Sequence, residues 1–186
     1  MKRSYLVLLL SAGLAAMGAT LNAQTVHSQT LETVGKFRVA QVRQNRPGNG
    51  NLMAQSDIVA LEQALHQQVN AYRQTQGLQP LQLDDRMSQL ARTHSQNMAS
   101  GGVAFGHGGS QQRFSAIAQQ VPYSQVAENV AYNFGHSNPI EQAVQGWIRS
   151  SGHQRNMAGN YSLTGIGIAR NARGEYYFTQ IFVRPR

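Results

Sequence analysis

The chain contains no cysteine among its 186 residues, and this absence limits how a fold can be stabilised. A disulfide framework, a cysteine-ligated zinc or iron–sulfur site, a thiol nucleophile and a bacterial lipoprotein anchor are all excluded. Stability must therefore come from the burial of an apolar core. A chain of this length can build one such core and is too short for two comfortable domains.

The N-terminus has the pattern of a secretory signal peptide over residues 1–23. Lys2 and Arg3 precede an apolar run over 5–19, and Leu21-Asn22-Ala23 offers a small-residue cleavage site. An uncleaved membrane anchor is the alternative, but the run falls short of the ~20 apolar residues that span a bilayer. We expect a protein that is secreted, to the extracellular space or the periplasm, and that does not span the membrane after cleavage.

The formal net charge of +8 lies mostly ahead of the predicted domain. Residues 1–56 hold six basic residues against one acidic residue, whereas residues 57–186 hold ten arginines against seven acidic residues. The arginines of the second part form no basic stripe with interleaved aromatics, so nucleic acid is not an expected partner. Residues 24–56, rich in Gln, Asn, Thr and Gly, predict a flexible linker; adhesion to anionic polymer or lipid is the alternative.

Apolar periodicity predicts several helices in residues 57–186. A first helix covers about 58–76, a second runs from an Asp84 cap to Gly101, and a short one covers 111–120. The best specified helix is capped by Asn138 ahead of Pro139, with Glu141 three residues after the cap. Its end is predicted at Gly152, in a left-handed conformation, with His153 just beyond it.

Two strand patterns close the chain, at 163–169 and 175–183. Asn171-Ala172-Arg173-Gly174 between them predicts a hairpin turn, so the two strands should be antiparallel neighbours. Helices on both sides of such a sheet give an α+β fold. We predict a three-layer α-β-α sandwich with a small antiparallel sheet.

Three residues are candidates for a shared site: His107 in a glycine-rich loop, Glu128 among apolar neighbours, and His153. Two imidazoles and one carboxylate are the ligand types that hold zinc with one position left for water. A glutamate beside a histidine can also orient it as a general base. The structural alternative is that His107 is a polar loop residue and that Glu128 bridges backbone N–H groups. His94, on an apolar helix face, is predicted to be a hydrogen-bonded core histidine.

Several segments, in this order, resemble the CAP superfamily in its cysteine-free bacterial SCP-like branch. They are LA at 90–91 with HSQNMA at 94–99 and FGH at 105–107, AENVA at 127–131, WIRSSGHQRNM at 147–157, GIGI at 165–168, and YFTQIF at 177–182. Ala127 replaces a glycine and Ser151 a proline of the family pattern. The resemblance covers residues 57–186.

The resemblance implies a cleft with two histidines and two glutamates, which in some members binds a divalent ion. His107, Glu128 and His153 match three of the four, and Ser150 stands where the second glutamate is expected. The loss of a carboxylate disfavours calcium, so a divalent ion such as zinc is the cofactor that remains compatible with these residues.

Two functions follow from these expectations, and a third is weaker. The first is a non-enzymatic module that binds a lipid, peptide or cell-envelope ligand at the cleft; the second is a metal-dependent hydrolase that uses the same cleft. A serine nucleophile, Ser150 or Ser151 activated by His153, lacks an oxyanion-hole motif. Because the fold alone supplies no activity, the sequence favours binding over catalysis.

Overall fold

A computed structural model describes residues 55–186. The predicted signal peptide at 1–23 lies outside the described residues, as does the predicted linker at 24–56 apart from Gln55 and Ser56. These two residues open the first helix, ahead of the predicted domain boundary at 57. Among the described helices, none combines the length and the apolar character needed to cross a bilayer.

Five helices and four strands follow one another in residues 55–186. In chain order they are α1 (Gln55–Thr75), β1 (Gln82–Leu83), α2 (Asp85–Ala99), α3 (Ser110–Gln120), β2 (Tyr123–Asn133), α4 (Pro139–Arg149), α5 (Ser151–Met157), β3 (Leu163–Arg170) and β4 (Tyr176–Pro185).

The strands form one sheet in the order β1-β3-β4-β2, which places β2 at an outer edge. β3 and β4 are antiparallel neighbours, as predicted, and β2 pairs antiparallel with β4. The two-residue β1 pairs parallel with β3, so the sheet is mixed and the antiparallel prediction holds for the three long strands. A parallel pair needs a long crossover, and here the chain from α2 to α5 supplies it.

Helices cover both faces of the sheet, which confirms the three-layer α-β-α sandwich. On one face, α1 and α4 bury Leu65 and Trp147 against Phe178 of β4. On the other face, α2 and α3 bury Met87 and Ile117 against the same strand. The alternation of side chains along each strand separates the two cores.

The predicted helix starts of α2 and α4 are confirmed. The Asp84 carboxylate accepts hydrogen bonds from the backbone N–H groups of Arg86 and Met87, at 2.9 and 3.2 Å. The Asn138 side chain accepts one from the N–H of Glu141 at 3.1 Å, and Pro139 occupies the first helical position. Each cap satisfies N–H groups that the helix itself leaves without partners.

Two elements differ from the expectation. β2 was not predicted, because its sequence mixes small, polar and apolar residues along an edge strand that is only partly buried. The prediction for Gly152 and His153 was wrong: α4 ends at Arg149, and both residues lie inside α5. An extended Ser150, at φ −97° and ψ 115°, separates the two helices, so no left-handed glycine is needed there.

Candidate functional site

Three neighbouring elements bring the candidate residues to the outer edge of the sheet. β2 carries Glu128, the loop between α2 and α3 carries His107, and α5 carries His153. Because β2 is an edge strand, a loop and a helix can both approach it from the side that no further strand occupies. The sheet thus places the carboxylate, and the flanking elements supply the imidazoles.

Glu128 is a buried carboxylate that is paired with an arginine. Its side chain is 2% exposed, and Arg113 of α3 donates to both oxygens, from Nε to Oε2 at 2.8 Å and from an Nη to Oε1 at 2.7 Å. The other Nη of Arg113 donates to the carbonyl oxygen of Gly108 at 2.8 Å. This bidentate geometry neutralises the buried charge and ties α3 and the loop to the strand.

His107 is the second partner of that carboxylate. Its Nδ1 lies 3.0 Å from Oε1 of Glu128. Because an ionised carboxylate only accepts hydrogen bonds, Nδ1 of His107 is the donor of this bond. The side chain is 50% exposed, so the oriented imidazole is open to solvent and to a ligand.

The loop that carries His107 is anchored from within the core. His94 of α2 is buried, as predicted, and its Nε2 donates to the carbonyl oxygen of Gly106 at 2.8 Å. Gly106 has a φ of +139°, a conformation in which a side chain would be strained. This glycine lets the carbonyl turn towards His94 while the next residue, His107, faces Glu128.

His153 joins the site through its backbone. Its carbonyl oxygen accepts a hydrogen bond from Nδ2 of Asn129 at 3.1 Å. Nδ2 of Asn156, also in α5, donates to the carbonyl oxygen of Glu128 at 3.3 Å and to Oδ1 of Asn129 at 2.9 Å. These bonds hold α5 against the open edge of β2.

The pKa of the His153 ring is lowered in the folded protein. Burial lowers the pKa of His153, and the charge of a protonated His107 lowers it further. The structure therefore brings His107 and Glu128 into direct contact, and it attaches His153 to the same strand through its backbone carbonyl.

The predicted trio does not fit a metal site as it is arranged. Within residues 55–186, no three His, Asp or Glu side chains are grouped so that they could hold an ion. Both oxygens of Glu128 already accept bonds from Arg113, whose positive charge occupies the place a cation would take. Ser150, at the position of the expected second glutamate, supplies no carboxylate.

Arg113 is the functional residue that the sequence interpretation missed. It lies in a segment that was predicted only as a short helix over 111–120. The feature of the sequence that could have identified it is its charge. Arg113 is the one charged residue in α3, whose other residues are Gln, Ser, Ala, Phe and Ile. A lone arginine in such a helix indicates a specific anionic partner.

Acidification is expected to destabilise the protein between pH 7 and pH 5. Burial lowers the pKa of both His94 and His153 below the reference value of 6.5. The unfolded chain therefore takes up protons first, and the free energy of unfolding falls as the pH drops below about 6.5, until the folded state is protonated too. Urea unfolding at a series of pH values measures this slope.

The matched control is His94→Gln, whose neutral amide can still donate to the carbonyl of Gly106. This variant should show a shallower loss of stability over the same pH range. A free energy of unfolding that is constant or rises on acidification from pH 7 to 5 contradicts the prediction.

Comparison with known proteins identifies the family. The model of the family described as "CAP: Cysteine-rich secretory protein family" matches residues 66–182, more than half of the chain. The chain belongs to the CAP family. The resemblance inferred from the motifs is confirmed, and the CAP match includes the strand with Glu128 and the elements that carry His107 and His153.

Two curated relatives come from Bacillus subtilis (strain 168). "Uncharacterized protein YkwD" is 33% identical over 140 residues, which is 73% of this chain and 51% of that protein. "Uncharacterized membrane protein YlbC" is 28% identical over 121 residues, which is 62% of this chain and 32% of that protein. The CAP chain thus spans about half the length of the first relative and a third of the second.

Solved structures share the CAP fold at low identity. An extracellular protein containing a SCP domain from Bacillus anthracis aligns with a TM-score of 0.58 and 22% identity, over 71% of this chain and 44% of that one. An outer surface protein of Borrelia burgdorferi aligns with a TM-score of 0.58 and 15% identity, over 68% and 94%. These likenesses support the fold alone.

Proposed function

We propose that this CAP-domain protein is a secreted, non-enzymatic binding module whose cleft is formed by His107, Glu128 and His153. The observation that carries the proposal is that both carboxylate oxygens of Glu128 already accept hydrogen bonds, from Arg113 and His107. A carboxylate held in this way orients a half-exposed imidazole and is not itself available to a ligand. Such a group recognises a ligand through the histidine.

The ligand classes that fit are those of an exported protein: a lipid, a peptide or a cell-envelope component. Secretion is supported by the signal-like sequence at 1–23 and by the extracellular or outer-surface location stated for the similar structures. The metal-dependent hydrolase is the weaker candidate, because Glu128 is engaged by Arg113 and the cleft lacks a second carboxylate.

The test measures binding of three probes: a labelled sterol, a labelled fatty acid and purified peptidoglycan. Each is titrated against the protein, against His107→Ala, and against His136→Ala as a matched control in another exposed loop. We expect at least one probe to bind with a dissociation constant that rises ~10-fold or more in His107→Ala, as for a central contact residue. The same probe should bind His136→Ala unchanged.

A parallel zinc titration separates binding from metallohydrolysis. We expect no stoichiometric zinc uptake by the protein. Uptake of one zinc ion that is lost in both His107→Ala and His153→Ala, together with ester or peptide hydrolysis, would support the hydrolase instead. Background binding of all three probes would refute the binding module for lipids and for peptidoglycan.

A further inference from the structure

A groove lies where the sheet extends beyond the end of α2. Helix α2 ends at Ala99, whereas β3 continues to Arg170 and is followed by the β3–β4 hairpin. The groove between the helix end and the hairpin has a volume of about 550 Å³, which is in the range of ligand-binding clefts. Met98, Ala169 and Tyr177 form the apolar part of its lining. An occupant with apolar side chains would remove this lining from water.

A smaller cavity adjoins this groove at the start of α1. It has a volume of about 200 Å³, and its lining includes Gln55 and Ile58 of α1 and Ile168 of β3. Gln96 and Ala169 line both the cavity and the groove, so the two are neighbours along the end of β3. We call the two together the entry groove.

The chain enters the described domain at the entry groove. Gln55 is the first residue of α1 and also lines the smaller cavity, so Ala54 is joined to the lining by a peptide bond. An extended chain advances by ~3.3–3.6 Å per residue, which keeps Met53 within about 7 Å of Gln55 and Leu52 within about 11 Å. Both residues therefore stay in the neighbourhood of the groove.

The sequence ahead of α1 supplies apolar side chains at this point. Leu52 and Met53 are the only large apolar residues between Val42 and Ile58, and the stretch from 43 to 51 reads RQNRPGNGN. Methionine is unbranched and polarisable, so it fills irregular apolar gaps. The burial of this pair against the apolar lining is favourable, because it removes both sets of side chains from water.

Other occupants would have to compete with this segment. A segment on a short tether is present at an effective concentration in the millimolar range, whereas a free ligand or a second copy is present only at its own concentration. A free partner also loses translational and rotational freedom on binding. The covalent connection at Gln55 thus favours the chain's own segment.

We infer that Leu52 and Met53 dock in the entry groove, so that the chain's own segment 52–54 covers it. The folded unit then begins at Leu52 and not at the predicted boundary of 57, and the groove is closed to soluble ligands. None of the three cleft residues lines the entry groove, so this docking is independent of the proposed binding function.

The absence of cysteine allows the test to use single introduced thiols. Leu52→Cys, Met53→Cys and Asn49→Cys are each prepared in the chain that begins at Gln24, and the rate of reaction with dithionitrobenzoate is measured with and without urea. We expect folding to slow the reaction at 52 and 53 by ~10-fold or more. The thiol at 49, in the polar stretch, should react at nearly the same rate in both states.

Gln96→Trp tests whether the groove itself gives this protection. Gln96 is exposed and lines both parts of the entry groove, so an indole at this position competes with the segment. Combined with Met53→Cys, it should bring the rate to within ~3-fold of that in the unfolded chain. The matched control is Gln89→Trp, at an exposed position about two turns earlier in α2, which should leave the protection unchanged. Circular dichroism verifies that each variant is folded.

A second measurement needs no bulky substitution. The double variant Met53→Cys with Gln96→Cys should form a disulfide rapidly on mild oxidation, because docking brings the two Cα atoms within the ~7 Å that such a bond allows. Met53→Cys with Gln89→Cys should form one far more slowly.

Four outcomes would overturn the inference: the thiols at 52 and 53 react as fast as the thiol at 49; they are protected equally in Gln96→Trp and Gln89→Trp; the two cysteine pairs oxidise at equal rates; or protection appears only at high protein concentration, which would assign the groove to a second copy of the chain. The variants lie outside the cleft, so failure here leaves the proposed cleft function standing.

Discussion

Replacement of Gly167 by alanine is expected to prevent the protein from folding. Gly167 of β3 faces α2, and a Cβ atom at this position would lie 2.0 Å from the backbone nitrogen of Arg92 and 2.1 Å from the carbonyl carbon of Ala91. Both are backbone atoms, so no side-chain rotation relieves the overlap. We expect a destabilisation above ~4 kcal/mol, in the range reserved for severe core defects.

The helix cannot retreat from the strand without further loss. Oγ of Ser95 in α2 donates to the carbonyl oxygen of Gly167 at 2.9 Å and lies 2.8 Å from the hydroxyl of Thr179. About two turns earlier in α2, Oγ of Ser88 accepts a bond from the N–H of Ile166 at 3.2 Å. A shift of α2 large enough to admit a methyl group would break these buried bonds, each of which then leaves polar atoms without partners.

Soluble yield and thermal unfolding measure the effect, with Gly146→Ala as the control. Gly146 lies within α4, and an added Cβ there meets no atom within 4 Å. Because alanine favours a helix over glycine by up to ~1 kcal/mol, this variant should be as stable as the parent or more so. A folded Gly167→Ala protein that melts within a few degrees of the parent would refute the argument.

The second large effect is expected from Arg73→Met. Arg73, in the last turn of α1, is 2% exposed although it is charged. Its guanidinium donates to the carbonyl oxygens of Gln79, Met157, Gly159 and Tyr161, at 2.8 to 3.1 Å. No carboxylate pairs with it in residues 55–186, and burial lowers its pKa. The Arg73 side chain thus joins the end of α1 to Gln79 and to the segment 157–161, in which the Gly159 carbonyl accepts a second bond from the N–H of Tyr161.

Methionine fills a similar volume but donates nothing, so the carbonyls of Gln79, Met157 and Tyr161 lose this donor, whereas that of Gly159 keeps the N–H of Tyr161. With ~1 kcal/mol or more for each buried group left unpaired, the free energy of unfolding should fall by about 3–5 kcal/mol. Arg149→Met, at an exposed position of α4, should change it by no more than ~0.5 kcal/mol. Urea unfolding compares the two variants, and an equal small change in both would refute the role of Arg73.

Arg73→Met is also expected to loosen the helix that carries His153. Three of the four carbonyls lie at Met157, Gly159 and Tyr161, directly after or at the end of the helix that carries His153. Hydrogen exchange in 151–157 should therefore accelerate in Arg73→Met more than exchange in α2. Uniform acceleration would indicate a global effect only.

Some elements follow from residues that are close together in the chain. Asp84, the pair Asn138-Pro139, and Asn171–Gly174 each start a helix or form a turn through bonds to backbone groups a few residues away. For this reason their positions could be predicted. Two charged side chains of α1, Glu62 and Arg73, are buried, which was not predicted. Their local signal is weaker: they fall at helical spacing with Leu65 and Val69, on the buried side of the helix.

Other features depend on partners that are distant in sequence. β2 is a strand because β4, some fifty residues later, pairs with it, and Gly152 is helical because Ser150 starts a new helix. Gly165 and Gly167 lie in the strand predicted at 163–169, but only the packing of α2 shows that these positions have no room for a side chain.

Some features of the candidate site also follow from the sequence, and others only from the tertiary structure. By itself, the sequence determined the residue types, their order and the family they belong to, because these are carried by short motifs. Only the tertiary structure decided that Glu128 pairs with Arg113 and His107 and not with His153 as a third ligand. The reason is physical: a buried carboxylate takes the nearest cation that the fold brings to it, and that distance is set by how α3 and α5 pack on the edge of the sheet.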